Sequence, residues 1–570
     1  MATRLYLDAV SRLSNRATFQ DFVKSSLEAD LESSTASAAA AGILLHVVVI
    51  RRRDFEYLAD RFFASLVLGT FRLLGALVTL TGLSIFAVIL QVTITFWAFN
   101  GGILLSISFL AHRLAKLTHF YTTYLSSKEL KYHNEVSDMC DKYGDFICTG
   151  PRELCIVRKS AVPLLYGPDS KCIKSTWYLQ QDVDPKRSSL FMIREPSAHK
   201  TRRRAWDKGM SPKALKSYLP RIEKKVELLV EQFASRAQSE KSIDVTLWTA
   251  LLAFDVMGEV AFSKDFGDVE QGVEQPAIAE MHSHMAFVGT LMHVPWLLNF
   301  LGRLRGATGS YGLFFSWCRN QLAEKQKQLD MKGEDPQDIA SWLVQEAAAK
   351  RSGVTPAGMD QDSRVAIIAG SDSTQATLAS ALYLLAKYPA VLAKLQEKID
   401  SAMPNGSQDW SYDKIRNIPY LEDVLKETLR LKGPVMVGAC RVTPPEGLQV
   451  DEVFIPPHTN VSVPNLRIHT DARYYKEPRS FVPERWGERE AEMETAGQPF
   501  PAFHLGLFNC AGKNLAMMVL RVTIARIEQS FDVSFPSGET GDHFERDAQD
   551  TFGTKLPPMG LRFVPRQPHL

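Results

Sequence analysis

The chain has almost no excess of either charge. Lys and Arg number 66 against 64 Asp and Glu, a formal net charge of +2. Nucleic-acid binders usually carry a strong basic excess, so that class is set aside. Cysteine is scarce and scattered: Cys140, Cys148, Cys155, Cys172, Cys318, Cys440 and Cys510 are the seven in 570 residues. No CxxC pair occurs and the number is odd, which excludes a disulfide scaffold and fits a reduced, cytosol-facing domain. Taken singly, any of these cysteines reads as a small buried apolar residue. The chain has no internal repeat and no phosphate-binding GxxxxGK loop. What it has is hydrophobic content of 45%, enough for a large core.

Part of that content is concentrated near the N-terminus. Leu73 to Phe99 carries no charge, and Gln91 is its only strongly polar residue. About 20 apolar residues span a bilayer, so this tract is expected to be a transmembrane helix. It lies too far from the start, and runs too long, for a cleaved secretory signal. Two shorter tracts flank it: Ala36 to Ile50, which ends at Arg51-Arg52-Arg53, and Ile103 to Ala111, which follows Asn100-Gly101-Gly102. Each reads equally as a second span, an interfacial helix or a re-entrant piece. Arg61 and Arg72 precede the main tract and Arg113 and Lys116 follow it, so charge leaves topology open. The expected order is an extension over 1–60, a membrane anchor over 61–111, a linker over 112–141 and a catalytic domain over 142–565.

Beyond the anchor the pattern is mostly helical. Ile222 to Ala237 and Arg364 to Ile399 show helix-like apolar spacing, the second broken at Pro389. Glu452 to Pro457 and Asn460 to Pro464 read as short strands bounded by turn residues. The fold class is therefore mainly α with a smaller β component.

The chemistry centres on Phe503-His504-Leu505-Gly506-Leu507-Phe508-Asn509-Cys510-Ala511-Gly512, which leads into an apolar helical run, Leu515 to Gln529. A metal-bound thiolate needs nearby donors, and the backbone N–H groups of a tight loop supply them. Gly506 and Gly512 let the backbone turn closely about the sulfur, and the following helix turns its positive end toward it. Phe503 is placed to shield the sulfur from water. This FxxGxxxCxG segment resembles the haem-binding loop of the cytochrome P450 superfamily, a strong signal on its own.

Further motifs follow in the order that resemblance requires, over about Lys142 to Pro565. Glu427 and Arg430 match ExxR and share a helix face. Phe481-Val482-Pro483-Glu484-Arg485-Trp486 matches the segment that follows, and the resemblance puts Arg485 with Glu427 and Arg430 in a buried charge network of structural role. Ala369-Gly370-Ser371-Asp372-Ser373-Thr374 matches the oxygen-activation motif, with Ser373 where Thr is usual. Its Ala-Gly pair is expected to leave room beside the haem, and Asp372 and Ser373 to relay protons toward dioxygen. Helix back-bonding is the plainer reading of Ser373. Tyr143-Gly144, Gly150-Pro151, Phe254 to Gly258 and Thr443 to Gly447 are similar to fungal secondary-metabolism members, the tryprostatin hydroxylase-like subgroup in particular.

The resemblance implies a cytochrome P450 fold behind the N-terminal transmembrane helix or helices. It implies haem b held by Cys510 as axial ligand, with Phe503 and Gly506 shaping the loop. His199 and Arg203, at i and i+4, and Arg441 are expected on the haem propionates, with Lys200 and Arg202 on a solvated face. Most members carry Arg or His two residues before the cysteine to bind a propionate. This chain has Phe508, so His199, Arg203 and Arg441 are expected to offset the loss. His469 is not expected at the haem. Implied partners are NADPH-cytochrome P450 reductase, dioxygen, a hydrophobic small molecule (terpenoid, alkaloid or polyketide) and the lipid bilayer of the endoplasmic reticulum, with the catalytic domain in the cytosol. The sequons at Asn405 and Asn460 would be unused there. Two alternatives are a haem-thiolate isomerase, dehydratase or oxidative-coupling enzyme and a non-catalytic haem-binding membrane protein. Asp372 and Ser373 count against the first, and the joint presence of ExxR, the Arg485 segment and the cysteine loop against the second.

Overall fold

The computed structural model describes Ala115 and residues 118–566, apart from 180–183, 240–241, 304–310, 333–335 and 352. The tracts 36–50, 73–99 and 103–111 lie outside the described residues. Part of the expected linker is folded: Phe120–Ser127 and Tyr132–Tyr143 are helices. Their Tyr121, Leu125, Tyr132, Val136 and Cys140 are buried, spaced three or four residues apart within each helix as an inward-facing stripe requires.

Nine helices position the site. They are α1 (Ala161–Tyr166), α2 (Pro196–Gly209), α3 (Pro212–Ala237), α4 (Val245–Phe262), α5 (Pro276–Leu291), α6 (Pro356–Lys387), α7 (Pro389–Ala402), α8 (Pro419–Leu431) and α9 (Lys513–Ser530). The longest is α6, with 32 residues. It starts where Thr355 accepts a hydrogen bond from the Gly358 N–H and Pro356 stands at a first-turn position that needs no donor. It stops at Tyr388 because Pro389 cannot continue a helix, though it can begin one, as it does for α7. Along α6 lies α4, capped by Asp244, which accepts from the Thr246 and Leu247 N–H groups. With 18 residues and a mean hydropathy of 1.5, α4 is long and apolar enough to cross a membrane. It is instead 83% buried inside the fold, so its apolar surface serves the core.

The β component supports one side of the site. β1 (Phe146–Gly150), β2 (Glu153–Ile156), β3 (Ile173–Lys174), β4 (Arg441–Val442) and β5 (Asn460–Ser462) form one sheet in the order β1-β2-β5-β4-β3. β2 and β5 run parallel, and the other pairings are antiparallel. The β4–β3 register sets Arg441 directly opposite Lys174. Asn460, in β5, is paired on both sides. A second sheet joins Gly560–Pro565 to Phe531–Ser534 and to Ile243–Asp244, and there Phe233, Phe531 and Phe563 pack ring against ring.

One residue of α2 departs from expectation. Arg202 is not on a solvated face: its side chain is 2% exposed and bonds Asp362 of α6 at 2.6 Å. Arg202 precedes Trp206 by one turn, and both are turned inward, while Lys200 is exposed. Asp362 also accepts the Leu190 N–H at 2.7 Å, so it ties α2, α6 and the 190 loop together. A buried charge stripped of its partner is costly, about 3–5 kcal/mol. Arg202→Met is therefore expected to lower stability by about that amount, measured by thermal unfolding, and Arg202→Met with Asp362→Leu to recover a large part of it.

Candidate functional site

The cysteine loop is built by three local devices. The Cys510 N–H donates to the Phe503 carbonyl at 2.9 Å and closes the loop. Gly506 sits at φ +61°, in the left-handed region, and opens a short 3-10 turn, Gly506–Phe508. A Cβ there would lie 2.4 Å from the Gly167 carbonyl oxygen, so only glycine lets the loop approach the end of α1. Gly512 then begins α9 with no side-chain cap, which leaves the first-turn N–H groups available to the sulfur.

Cys510 is accessible to water, although protein atoms crowd around it. Burial raises the pKa of its thiol. The Gly512 N–H, the Arg203 charge, and the Lys513 N–H and charge act in the opposite direction. The Phe503 ring lies 5.7 Å from the Lys513 ammonium and packs against the core.

Beside the loop stands a group of cations. Lys174 and Arg441 are buried, at 4% and 2% exposure. Both stand over the ring of Phe508, at 4.9 and 5.3 Å from its centroid. His199 meets the same ring edge-on at 4.7 Å. Burial, with Lys174, Arg203 and Arg441 nearby, pushes the His199 pKa down to about 2, so the ring is neutral. Arg203 spends its Nε on Asp207 (2.6 Å) and a terminal nitrogen on the backbone and side-chain oxygens of Asn509 (2.9 Å each), which ties α2 to the cysteine loop. Among the described residues no carboxylate pairs with Lys174 or Arg441, and the charges acting on Lys174 are both positive. The buried Arg441 Nε and His199 Nδ1 have no hydrogen-bond partner among the described residues. Lys174 and Arg441, buried without a paired carboxylate among the described residues and with an Arg441 donor to spare, fit the carboxylates of haem next to a thiol that fits its iron.

The proton-relay candidates lie on α6, in a stretch where Ala369, Gly370, Asp372 and Ser373 are accessible although the helix beyond is buried. Of the Ala-Gly pair, Gly370 does not leave open room. A Cβ there would meet Met257 of α4 at 2.5 Å, so that space is filled by packing. Ser373 donates to the Ala369 carbonyl at 2.8 Å, the back-bonded arrangement. Asp372 and Ser373 are not joined. Asp372 instead faces His282 of α5, whose Nε2 is 3.4 Å from Oδ1, and the other ring nitrogen is 2.6 Å from Glu274. Burial opposes the charge on His282, but the bonds to Asp372 and Glu274 prevail and raise its pKa to about 10. Cys318 is buried nearby, and Tyr311 and Arg364 are half-buried beside it.

Glu427, Arg430 and Arg485 come together as expected in position, each with a fully buried side chain. Arg430 binds both Glu427 oxygens, at 2.9 and 2.7 Å, and Arg485 Nε donates to one of them at 2.9 Å. Trp486 Nε1 and the Val482 N–H complete the carboxylate at 2.9 and 3.1 Å. Carbonyls of His469, Pro478 and Ser480 take the remaining Arg430 donors, and those of Lys476 and Glu477 each accept from one terminal nitrogen of Arg485. His469 contributes here through its backbone, with its ring against Phe500.

Motif spacing gave no sign of Lys174, His282 or Glu274. Lys174 could have been noticed as a lone charge in Cys172-Ile173-Lys174-Ser175-Thr176-Trp177, an otherwise uncharged run. His504, in the loop itself, is half-buried, its buried Nδ1 has no hydrogen-bond partner among the described residues, and desolvation with Arg441 and Lys174 nearby takes its pKa to about 3.

Residues 120–562 match the family model described as Cytochrome P450. The cytochrome P450 monooxygenase orf5 of Eupenicillium brefeldianum is 32% identical over 80% of this chain and 90% of its own length. The cytochrome P450 monooxygenase phqL of Penicillium fellutanum is 30% identical over 94% and 95%, and the tryprostatin B 6-hydroxylase of Aspergillus fumigatus is 29% identical over 79% and 78%. A crystal structure of a cytochrome P450 (CYP102L1) superposes with a TM-score of 0.63 at 18% identity, covering 76% of this chain and 94% of that one.

The His282 cluster has a testable pH signature. A raised imidazole pKa stabilises the fold fully below the ordinary value of 6.5, and the gain is lost as pH climbs to about 10. The difference in unfolding temperature between the wild type and His282→Leu is therefore expected to shrink across that window. A constant difference there would show that His282 is not held as an imidazolium.

Proposed function

The chain belongs to the cytochrome P450 family, and from that premise we propose that it is a tailoring monooxygenase of fungal secondary metabolism that inserts one atom of dioxygen into a hydrophobic small molecule. The class of reaction goes with the family, whose cofactor is haem with a cysteine thiolate on the iron. The terpenoid, alkaloid or polyketide nature of the substrate is the finer part of the proposal. It is supported by the kind of relative found, among them an enzyme named for hydroxylating tryprostatin B. The observation that carries the reading is an accessible thiol at the start of α9, which has no side-chain cap, set beside buried Lys174 and Arg441, which have no counter-charge among the described residues.

When bound, the haem-thiolate group supplies reductive activation of dioxygen. The chain's residues take the following roles. Cys510 would hold the haem iron through its sulfur, with the N–H groups of Gly512 and Lys513 favouring the thiolate. Gly506 and the Phe503 carbonyl fix the loop that presents it. Arg441, His199 and Arg203 line the propionate edge, Arg203 also bracing the loop through Asn509. Asp372 and Ser373 handle protons on the accessible face of α6. His282 holds a proton facing Asp372 Oδ1, and the Ser373 hydroxyl becomes available once it rotates from the Ala369 carbonyl. The buried trio Glu427, Arg430 and Arg485 fixes the wall behind the loop and touches no substrate.

Around this body we place the expected partners. The uncharged tract 73–99 anchors the chain in the endoplasmic reticulum membrane, within the 61–111 anchor that follows the 1–60 extension. The 142–565 domain faces the cytosol, where NADPH-cytochrome P450 reductase supplies electrons. An odd number of scattered cysteines with no CxxC pair suits that compartment.

Microsomes holding the wild type, fed candidate extracts with NADPH and oxygen, are expected to yield products heavier by one oxygen atom in mass spectrometry. They should also show the red-shifted reduced-CO absorption band of a thiolate-ligated haem. Cys510→Ala is expected to lose both. Product formed without NADPH would assign an isomerase or dehydratase instead. Ser373→Ala should keep the band and NADPH consumption while product formation falls about a hundredfold, the scale of general acid catalysis.

A further inference from the structure

We propose that Lys174 is a haem-propionate ligand and takes over the anchoring charge that Phe508 does not supply. The inference rests on the haem-thiolate reading above and concerns a residue that no motif marks. It begins with the sheet. β3 and β4 pair so that Lys174 and Arg441 face one another across the strands. Like charges directly opposite are unfavourable in a sheet, more so when both are buried as these are, at 4% and 2% exposure. Burial first, and then the charges of Arg441 and Arg203, hold the Lys174 pKa well below the usual lysine range, so without an anion the site works against its charge. A lysine kept only to fill space there would be better replaced by an apolar chain of the same length. An anion between the two strands removes the conflict.

The donors agree with this. An ammonium has three N–H groups. Lys174 gives bonds to the Leu190 and Phe191 carbonyls, at 3.2 and 2.7 Å, which leaves one donor for a ligand. The direction agrees as well: the ammonium stands 4.9 Å from the centre of the Phe508 ring, and Arg441 stands 5.3 Å from it. The side chain that occupies the usual cation's place in the cysteine loop is thus the one on which Lys174 rests, with the aromatic face helping to hold the charge. The same carboxylate chemistry could come from an acidic substrate, so the test is made without substrate.

The test compares holo wild type with Lys174→Met, Phe508→Arg and the double variant. Two quantities are read: the rate of haem transfer to excess apomyoglobin and the haem reduction potential. Lys174→Met is expected to release haem about tenfold faster, the scale of one charge-assisted hydrogen bond, and to show a lower potential because a positive charge near the haem is gone. Adding Phe508→Arg to Lys174→Met should bring both values back toward wild type. Should Lys174→Met not fold, Lys174→Gln retains donors for Leu190 and Phe191 and carries the same comparison. Haem release and potential unchanged in the lysine variant, or no recovery in the double variant, overturns the proposal. A wild type with no red-shifted reduced-CO band instead overturns the haem-thiolate reading on which it rests.

Discussion

A single dry carboxylate, Glu427, organises the wall on which the cysteine loop rests. It is fully buried, takes hydrogen bonds from two guanidinium groups, an indole and a backbone N–H, and leaves the cluster with net positive charge. Removing ions from water costs several kcal/mol each, and the cost is recovered only if every donor and acceptor is placed. Here carbonyls from residues 469–480 finish the work, so the long segment after α8 has little choice of path. That segment hands its position on. Trp486 and His469 pack against Phe500, and the Tyr475 hydroxyl bonds the Pro499 carbonyl at 2.9 Å. Phe503 and Cys510 follow within the next turn of chain.

Much of this was legible in the sequence because the parts are local. The cysteine loop lies within one decapeptide, ExxR within one helical turn, and the Pro389 break shows in a single residue. What could not be read is pairing at long range. Arg202 looks like any member of a basic helix run, and only α6, arriving with Asp362, makes it a buried partner. His282 sits in an ordinary amphipathic helix, and its meeting with Asp372 depends on how α5 lies on α6. Lys174 belongs to a two-residue strand whose register with Arg441 no periodicity announces. The Ala-Gly pair was half legible: two small residues predicted space, but not that Met257 would fill the part beside Gly370.

The site also shows how one substitution is absorbed. Phe508 puts an aromatic ring where a cation is usual, and that ring is bordered by Lys174 and Arg441, which bring positive charge from the sheet, and by the neutral His199 imidazole of α2. The burden moves from the loop to the surrounding scaffold. The two relay candidates on α6 are likewise conditioned by their neighbours. One carboxylate is held toward α5 and one hydroxyl toward its own helix, so both must turn before they can serve a reaction on the accessible face.

The order of the parts along the chain has a consequence for biosynthesis. The sulfur stands at 510, while the groups gathered around it come from 174, 199, 203 and 441. Gly506 must seat against the end of α1, near 167, before the loop can close. If Cys510 holds the haem iron as proposed, no ribosome-bound fragment that stops short of it can do so, and the cations at 174, 199, 203 and 441 are made before their ligand's anchor. On the proposed assignment, cofactor insertion thus waits until residue 510 has been made and the earlier segments have folded around it.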